Sequence, residues 1–165
     1  MKVLVFGPSG SGKTFISRAL KKQGINAFDD GDIKNLSNWY DRQGNKVVAP
    51  ATAQEAFDNH YSFLWSKEVL KEFLRKYTEV YVFGGSGNIF DVTDLFDKAF
   101  FLKIEPGIQK ERILHSSRET PLMDFDEKGI VVWGDWIGQE AKKRHIPFLD
   151  ATRSPDELFA IISKK

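Results

Sequence analysis

Apolar residues in this chain fall into short dense runs separated by amphipathic stretches. The first run, KVLVF from Lys2 to Phe6, is continuous and rich in β-branched residues. That pattern predicts a strand buried on both faces of a parallel sheet. Next, Phe15, Ile16, Ala19 and Leu20 recur at helical spacing, Lys21 and Lys22 suit a last turn, and Gly24 suits the stop. Four further runs read as strands: INAF from Ile25 to Phe28, EVYVFGG from Glu79, KAFFLKI from Lys98 and IPFL from Ile146. Between the second and third strands, residues 57–77 predict a long helical region, with Phe63, Leu64, Val69, Leu70, Phe73 and Leu74 on its apolar face. Another helix is expected from Pro106, because proline suits the first helical turn. The chain closes on SPDELFAIISKK, with Ser154 as N-cap, Pro155 first in the helix and Glu157 as the capping-box partner.

Strands alternating with helices predict an α/β fold: a five-stranded parallel sheet in three layers, with helices on both faces. The length of 165 residues suits one domain. Two stretches interrupt the alternation, 31–60 and 117–135. Ligands of a doubly wound sheet bind beyond the strand C-termini, so an insertion on that edge is expected to bind or cover a substrate. The first is read as a substrate-binding insertion and the second as a lid.

Charge narrows the partners. The formal net charge is +1 and the basic clusters are short and scattered, which argues against nucleic acid and against an acidic membrane surface. No apolar run is long enough to span a bilayer. The absence of cysteine excludes disulfides, thiolate metal sites and cysteine nucleophiles, and fits a reducing cytoplasm. A monomer or dimer is expected.

Residues Gly7, Pro8, Ser9, Gly10, Ser11, Gly12, Lys13 and Thr14 satisfy G-x-x-x-x-G-K-[ST], the phosphate-binding P-loop. Glycines let successive N–H groups converge on phosphate oxygens, and the following helix adds the positive end of its dipole. Lys13 is expected to reach the β- and γ-phosphates of ATP and Thr14 to place its hydroxyl on Mg²⁺. The predicted strand before the loop and helix after it are what the motif needs. Guanine recognition has no counterpart, since NKVV at Asn45 lacks the acid of Asn-Lys-x-Asp.

Three features share the predicted sheet edge with this loop. FDDGD places Asp29, Asp30 and Asp32 just past the second strand, where carboxylates can contact Mg²⁺ or accept a proton from an attacking hydroxyl. An acidic turn capping the next helix is the other reading. The third strand ends without an aspartate, so the metal-organising acid is sought in this cluster. GGSGN, with Gly84, Gly85 and Asn88, allows close approach of a ligand to backbone or serves as a plain turn. Arg112, late in its helix, and Arg118 beyond it can neutralise a transferring phosphoryl group, or pair with Glu111 and Glu119 on the surface. Trp133 and Trp136, three residues apart, read as packing of a lid against the body.

On these residues the chain resembles the small P-loop kinases of the shikimate, gluconate and adenylate kinase group over nearly its whole length. The resemblance implies an ATP- and Mg²⁺-dependent phosphotransferase acting on a small metabolite or nucleotide. Gly7 to Thr14 match the ATP-phosphate loop. FDDGD resembles the acidic segment after the second strand, which implies substrate contacts for Asp30 and Asp32 and a metal contact for Asp30. GGSGN resembles the glycine-rich substrate loop, with Gly84, Gly85 and Asn88. KERILHSSR resembles the entry to the lid, implying Arg112 near adenine and Arg118 toward the phosphates. DATRSP, which contains Arg153, sits where such enzymes wrap adenine. The chain departs from shikimate kinases in lacking the shikimate-binding arginine after the acidic segment, and from adenylate kinases in lacking their D-G-F-P-R element. A nucleotide-binding regulatory ATPase without a small-molecule acceptor is the alternative.

Overall fold

The side chains of β1 (Lys2–Phe6) divide between two cores. Val3 and Val5 belong to a cluster on one face of the sheet, Leu4 and Phe6 to a cluster on the other, and all four are buried. This is the period-two alternation of a strand covered on both sides. The structure, a computed structural model, describes residues 1–115 and 127–164.

From β1 the chain runs through α1 (Lys13–Lys22), β2 (Ala27–Asp29), β3 (Ser37–Tyr40), β4 (Lys46–Val47), α2 (Ala53–Asp58), β5 (Ser62–Trp65) and α3 (Lys67–Leu74). It continues through β6 (Val80–Gly84), β7 (Lys98–Lys103), α4 (Pro106–Leu114), α5 (Glu127–Lys143), β8 (Phe148–Asp150) and α6 (Pro155–Ile162). The main sheet has five parallel strands in the order β2-β6-β1-β7-β8. The predicted three-layer α/β arrangement is therefore present. Ile16 and Leu20 of α1, with Leu158 and Ile162 of α6, cover one face. Leu70 and Leu74 of α3, with Ile137 and Ala141 of α5, cover the other. The strand order reverses at β1, whose C-terminal end is therefore the expected ligand crevice.

Local signals set several boundaries as expected. Gly24 takes the left-handed conformation (φ 83°) just past α1. Ser154 caps α6 and closes a capping box with Glu157. Two expectations are corrected. The second strand starts at Ala27 rather than Ile25. The helical region expected over 57–77 is broken into the end of α2, the strand β5 and the helix α3, which Ser66 caps by accepting from the Val69 N–H. β5 is a strand because it pairs antiparallel with β3, and β3 pairs with β4, giving a second, three-stranded sheet in the order β4-β3-β5. This sheet occupies much of the first interruption. Within the second, residues 117–126 lie outside the described residues, and 127–135 form the first half of α5.

Candidate active site

The loop from Gly7 to Gly12 leaves the C-terminal end of β1 and enters α1 at Lys13. Gly12 sits at the helix N-cap with φ 97°, a conformation that a side chain disfavours. A bond from the Ile16 N–H to the Gly12 carbonyl (2.9 Å) starts the helix there. The Lys13 ammonium is folded into the loop: Nζ donates to the carbonyls of Gly7 and Pro8, at 2.8 Å each. Its charge thus stands inside the curve of the loop, where a phosphate would be met.

Helix α4 clasps this loop from the side. The buried Gln109 donates from Nε2 to the Ser9 carbonyl at 2.8 Å. One turn on, Arg112 donates from Nη1 to the Ser11 carbonyl at 3.2 Å and from Nη2 to the Ala151 carbonyl at 3.1 Å. Arg112 therefore ties the phosphate loop to the segment after β8, the segment expected to wrap adenine. Arg153 stands in that segment; its N–H donates to the Asp150 carbonyl and its side chain is exposed.

Facing the loop across the sheet edge are two carboxylates. The Thr14 hydroxyl donates to both Asp29 oxygens, at 3.1 and 3.2 Å. Burial, then repulsion from Asp30, raises the Asp29 pKa from 3.8 to about 6, against the opposing pull of Lys13 and the Thr14 hydroxyl. The Asp30 pKa is also raised by burial, with the charge of Lys13 and the N–H of Gly85 pulling the other way. The Gly85 N–H donates to Asp30 Oδ2 at 3.3 Å. Trp65 lies beside this carboxylate and favours its charged form slightly. The buried indole Nε1 of Trp65 nevertheless makes no hydrogen bond of good geometry.

Gly84 is what allows Asp30 and Trp65 to meet. A Cβ there would lie 2.5 Å from Trp65 Cζ2 and 2.7 Å from Asp30 Cβ. No larger residue fits without displacing one of them. Gly85 next to it faces the Trp133 ring, 3.5 Å from where its Cβ would stand.

The expected site residues thus separate. Lys13, Thr14, Asp30, Gly84 and Gly85 converge on one edge, with Arg112 on the α4 side of the loop. Asp32 does not join them: its carboxylate pairs with Lys21 at 3.4 Å and accepts from the Asp29 N–H, away from the loop. Asn88 spends its side chain on the protein, accepting from the Trp65 N–H (2.9 Å) and the Ser86 hydroxyl (2.9 Å) and donating to the Trp65 carbonyl (3.0 Å). Arg118 lies outside the described residues. Trp133 packs against the core, and Trp136 meets Phe90 edge-on with centroids 6.5 Å apart. Asp29, rather than Asp30, touches Thr14. Gln109 was not singled out in the sequence, although its spacing of three from Arg112 puts both on one helix face.

The oxygen donors present, a threonine hydroxyl and two carboxylates whose pKa values burial raises, suit a hard divalent cation. Mg²⁺ is held in such sites by one or two carboxylates together with substrate phosphates. Among the described residues, no three His, Cys, Asp or Glu side chains form a metal cage.

No family model matches the chain, and no curated protein does. Solved structures do. A shikimate kinase from Aquifex aeolicus is 21% identical with a TM-score of 0.59, the match covering 99% of this chain and 94% of that one. A shikimate kinase from Acinetobacter baumannii in complex with shikimate is 16% identical with a TM-score of 0.58, over 99% and 94% of the two chains. A deoxyadenosine kinase from M. mycoides with dCMP and dCDP bound is 17% identical with a TM-score of 0.54, over 99% and 96%. The chain has the fold of the small P-loop kinases.

Proposed function

We propose that this chain, with the fold of a small P-loop kinase, transfers the γ-phosphoryl group of ATP to a hydroxyl or phosphate of a small metabolite or nucleotide, with Mg²⁺. The observation that carries the reading is the placement of Lys13 and Thr14 of the phosphate loop opposite the carboxylates of Asp29 and Asp30. One side of the edge is built to gather negative charge, the other to bind a cation and receive a proton.

In this mechanism the loop amides and Lys13 hold the triphosphate, and Arg112 fixes the loop against the base-binding segment. Thr14 and Asp29 would hold Mg²⁺, which neutralises charge on the phosphate oxygens. Asp30 orients the acceptor; its raised pKa suits it to take the proton as the new bond forms. Little covalent chemistry is asked of the protein, so positioning and electrostatics supply the rate. Arg118 would add positive charge to the moving group.

The test is Lys13→Ala, measured by thermal shift with Mg-ATP and by turnover of ATP with a panel of acceptors. The variant should keep its fold and lose both the nucleotide-induced stabilisation and the turnover. Unchanged turnover would remove the phosphate loop from the mechanism. Hydrolysis insensitive to every acceptor would point instead to a regulatory ATPase.

A further inference from the structure

The second sheet carries an aromatic face that starts at Asp30 and runs outward. In an antiparallel sheet, directly opposed residues lie on the same side. The register opposes Ser37 to Trp65, Trp39 to Phe63 and Trp39 to Val47. Ser37, Trp39, Val47, Phe63 and Trp65 therefore share one face. Trp65 anchors its inner end, buried against Gly84 and Asp30. Two residues along each strand, about 7 Å further out, Trp39 and Phe63 pack ring against ring with centroids 5.5 Å apart and planes at 56°. Over them lies a cavity of about 590 Å³ lined by Ser37, Trp39, Lys46, Val47 and Phe63 among others. That is within the range of about 300–1,000 Å³ typical of small-molecule sites. The Ser37 hydroxyl, buried at the inner end of this face, has no hydrogen-bond partner.

Resting on the kinase reading, we infer that the acceptor is a nucleoside: an uncharged planar ring held on Trp39 and Phe63, with its sugar hydroxyl at Asp30. Aromatic side chains stack on any base face, and the face that carries this ring pair has its inner end at Trp65, which lies beside Asp30. Charge argues the same way. Lys46 is the one charged residue among those lining the cavity, and Asp30 adjoins the inner end of the face at Trp65. A small carboxylic acid placed at the inner end would meet the Asp30 carboxylate, and no guanidinium stands among these residues. In the reaction the nucleoside hydroxyl oxygen bonds to the γ-phosphorus, the bond to the β–γ bridging oxygen breaks and ADP leaves. The hydroxyl proton passes to the Asp30 carboxylate.

The test uses the full chain with Mg-ADP present. Tryptophan fluorescence is titrated with purine and pyrimidine nucleosides, nucleoside monophosphates, and small hydroxy acids and sugar alcohols, followed by initial rates with Mg-ATP. Saturable quenching by nucleosides is expected. Trp39→Ala and Phe63→Leu should each raise the nucleoside KM about tenfold or more, about 1.4 kcal/mol, with kcat held within about twofold, since each removes an aromatic face on which a base stacks. Both variants should keep the thermal shift with Mg-ATP. If wild-type protein is stabilised by Mg-ATP yet binds no nucleoside, or turns over hydroxy acids or monophosphates instead, this inference fails while the kinase reading stands. If Mg-ATP itself does not bind, the kinase reading fails. Should Trp39→Ala not fold, the wild-type titration and Phe63→Leu still decide.

Discussion

The Thr14 hydroxyl donates to both carboxylate oxygens of Asp29, joining the first turn of α1 to the C-terminal end of β2. The two residues are 15 positions apart in the chain and belong to the two sides of one crevice. Their contact brings the phosphate loop and the acidic segment into a single site.

Asp29→Asn should therefore act on metal dependence before it acts on fold. The Mg²⁺ concentration for half-maximal activity is expected to rise about 10- to 100-fold, the usual cost of losing a partner in a metal shell. An unchanged Mg²⁺ requirement would take Asp29 out of the metal site.

The same carboxylate gives a signed pH effect. Its folded pKa is about 6, above its ordinary 3.8, so the native state binds the proton more tightly than the unfolded chain. Between these values stability falls as pH rises, and above about 6 the full destabilisation is present. Asp29→Asn should then melt higher than wild type near neutral pH without metal, with the difference shrinking toward pH 4. Activity should run the other way, rising as Asp29 ionises.

Gly84→Ala places a methyl 2.5 Å from Trp65 Cζ2 and 2.8 Å from Asp30 Cγ. Overpacking of this kind costs about 1–3 kcal/mol, readable in chemical denaturation. Because the displaced atoms include Asp30, turnover should drop while ATP affinity holds. A fully active variant would show that Asp30 need not sit where it does.

Arg112→Ala removes bonds to the Ser11 and Ala151 carbonyls. Charge-assisted bonds are worth about 1.5–3 kcal/mol, so a lower melting temperature is expected together with a raised KM for ATP. Gln109→Ala, which frees the Ser9 carbonyl, should have the milder version of both effects. Loss of stability with an unaltered KM would make this clasp structural only.

Asn88→Ala leaves the Trp65 N–H and carbonyl without their side-chain partners. Each unmet backbone group costs about 1–3 kcal/mol, and β5 loses its tie to the end of β6. Destabilisation is expected, with kcat falling and the acceptor KM held. A selective rise in acceptor KM would instead return Asn88 to the acceptor site.

Much of this was readable in the chain. KVLVF, the glycine loop and the amphipathic segment after it are local signals: the strand's side-chain period, the turn's backbone freedom and the helix's apolar stripe are each set within a few residues. The same holds for Ser154 with Glu157. What only the tertiary structure decided rests on partners distant in sequence. Phe63 and Leu64 fit a helical stripe as well as a strand, and pairing with β3 settled the matter. Three aspartates within four residues look alike until the end of β2 turns Asp29 to Thr14, Asp30 to Gly85 and Asp32 to Lys21. Hydrogen bonds along a helix close within one turn, whereas strand pairing and the facing of carboxylates depend on segments that meet only when the chain is folded.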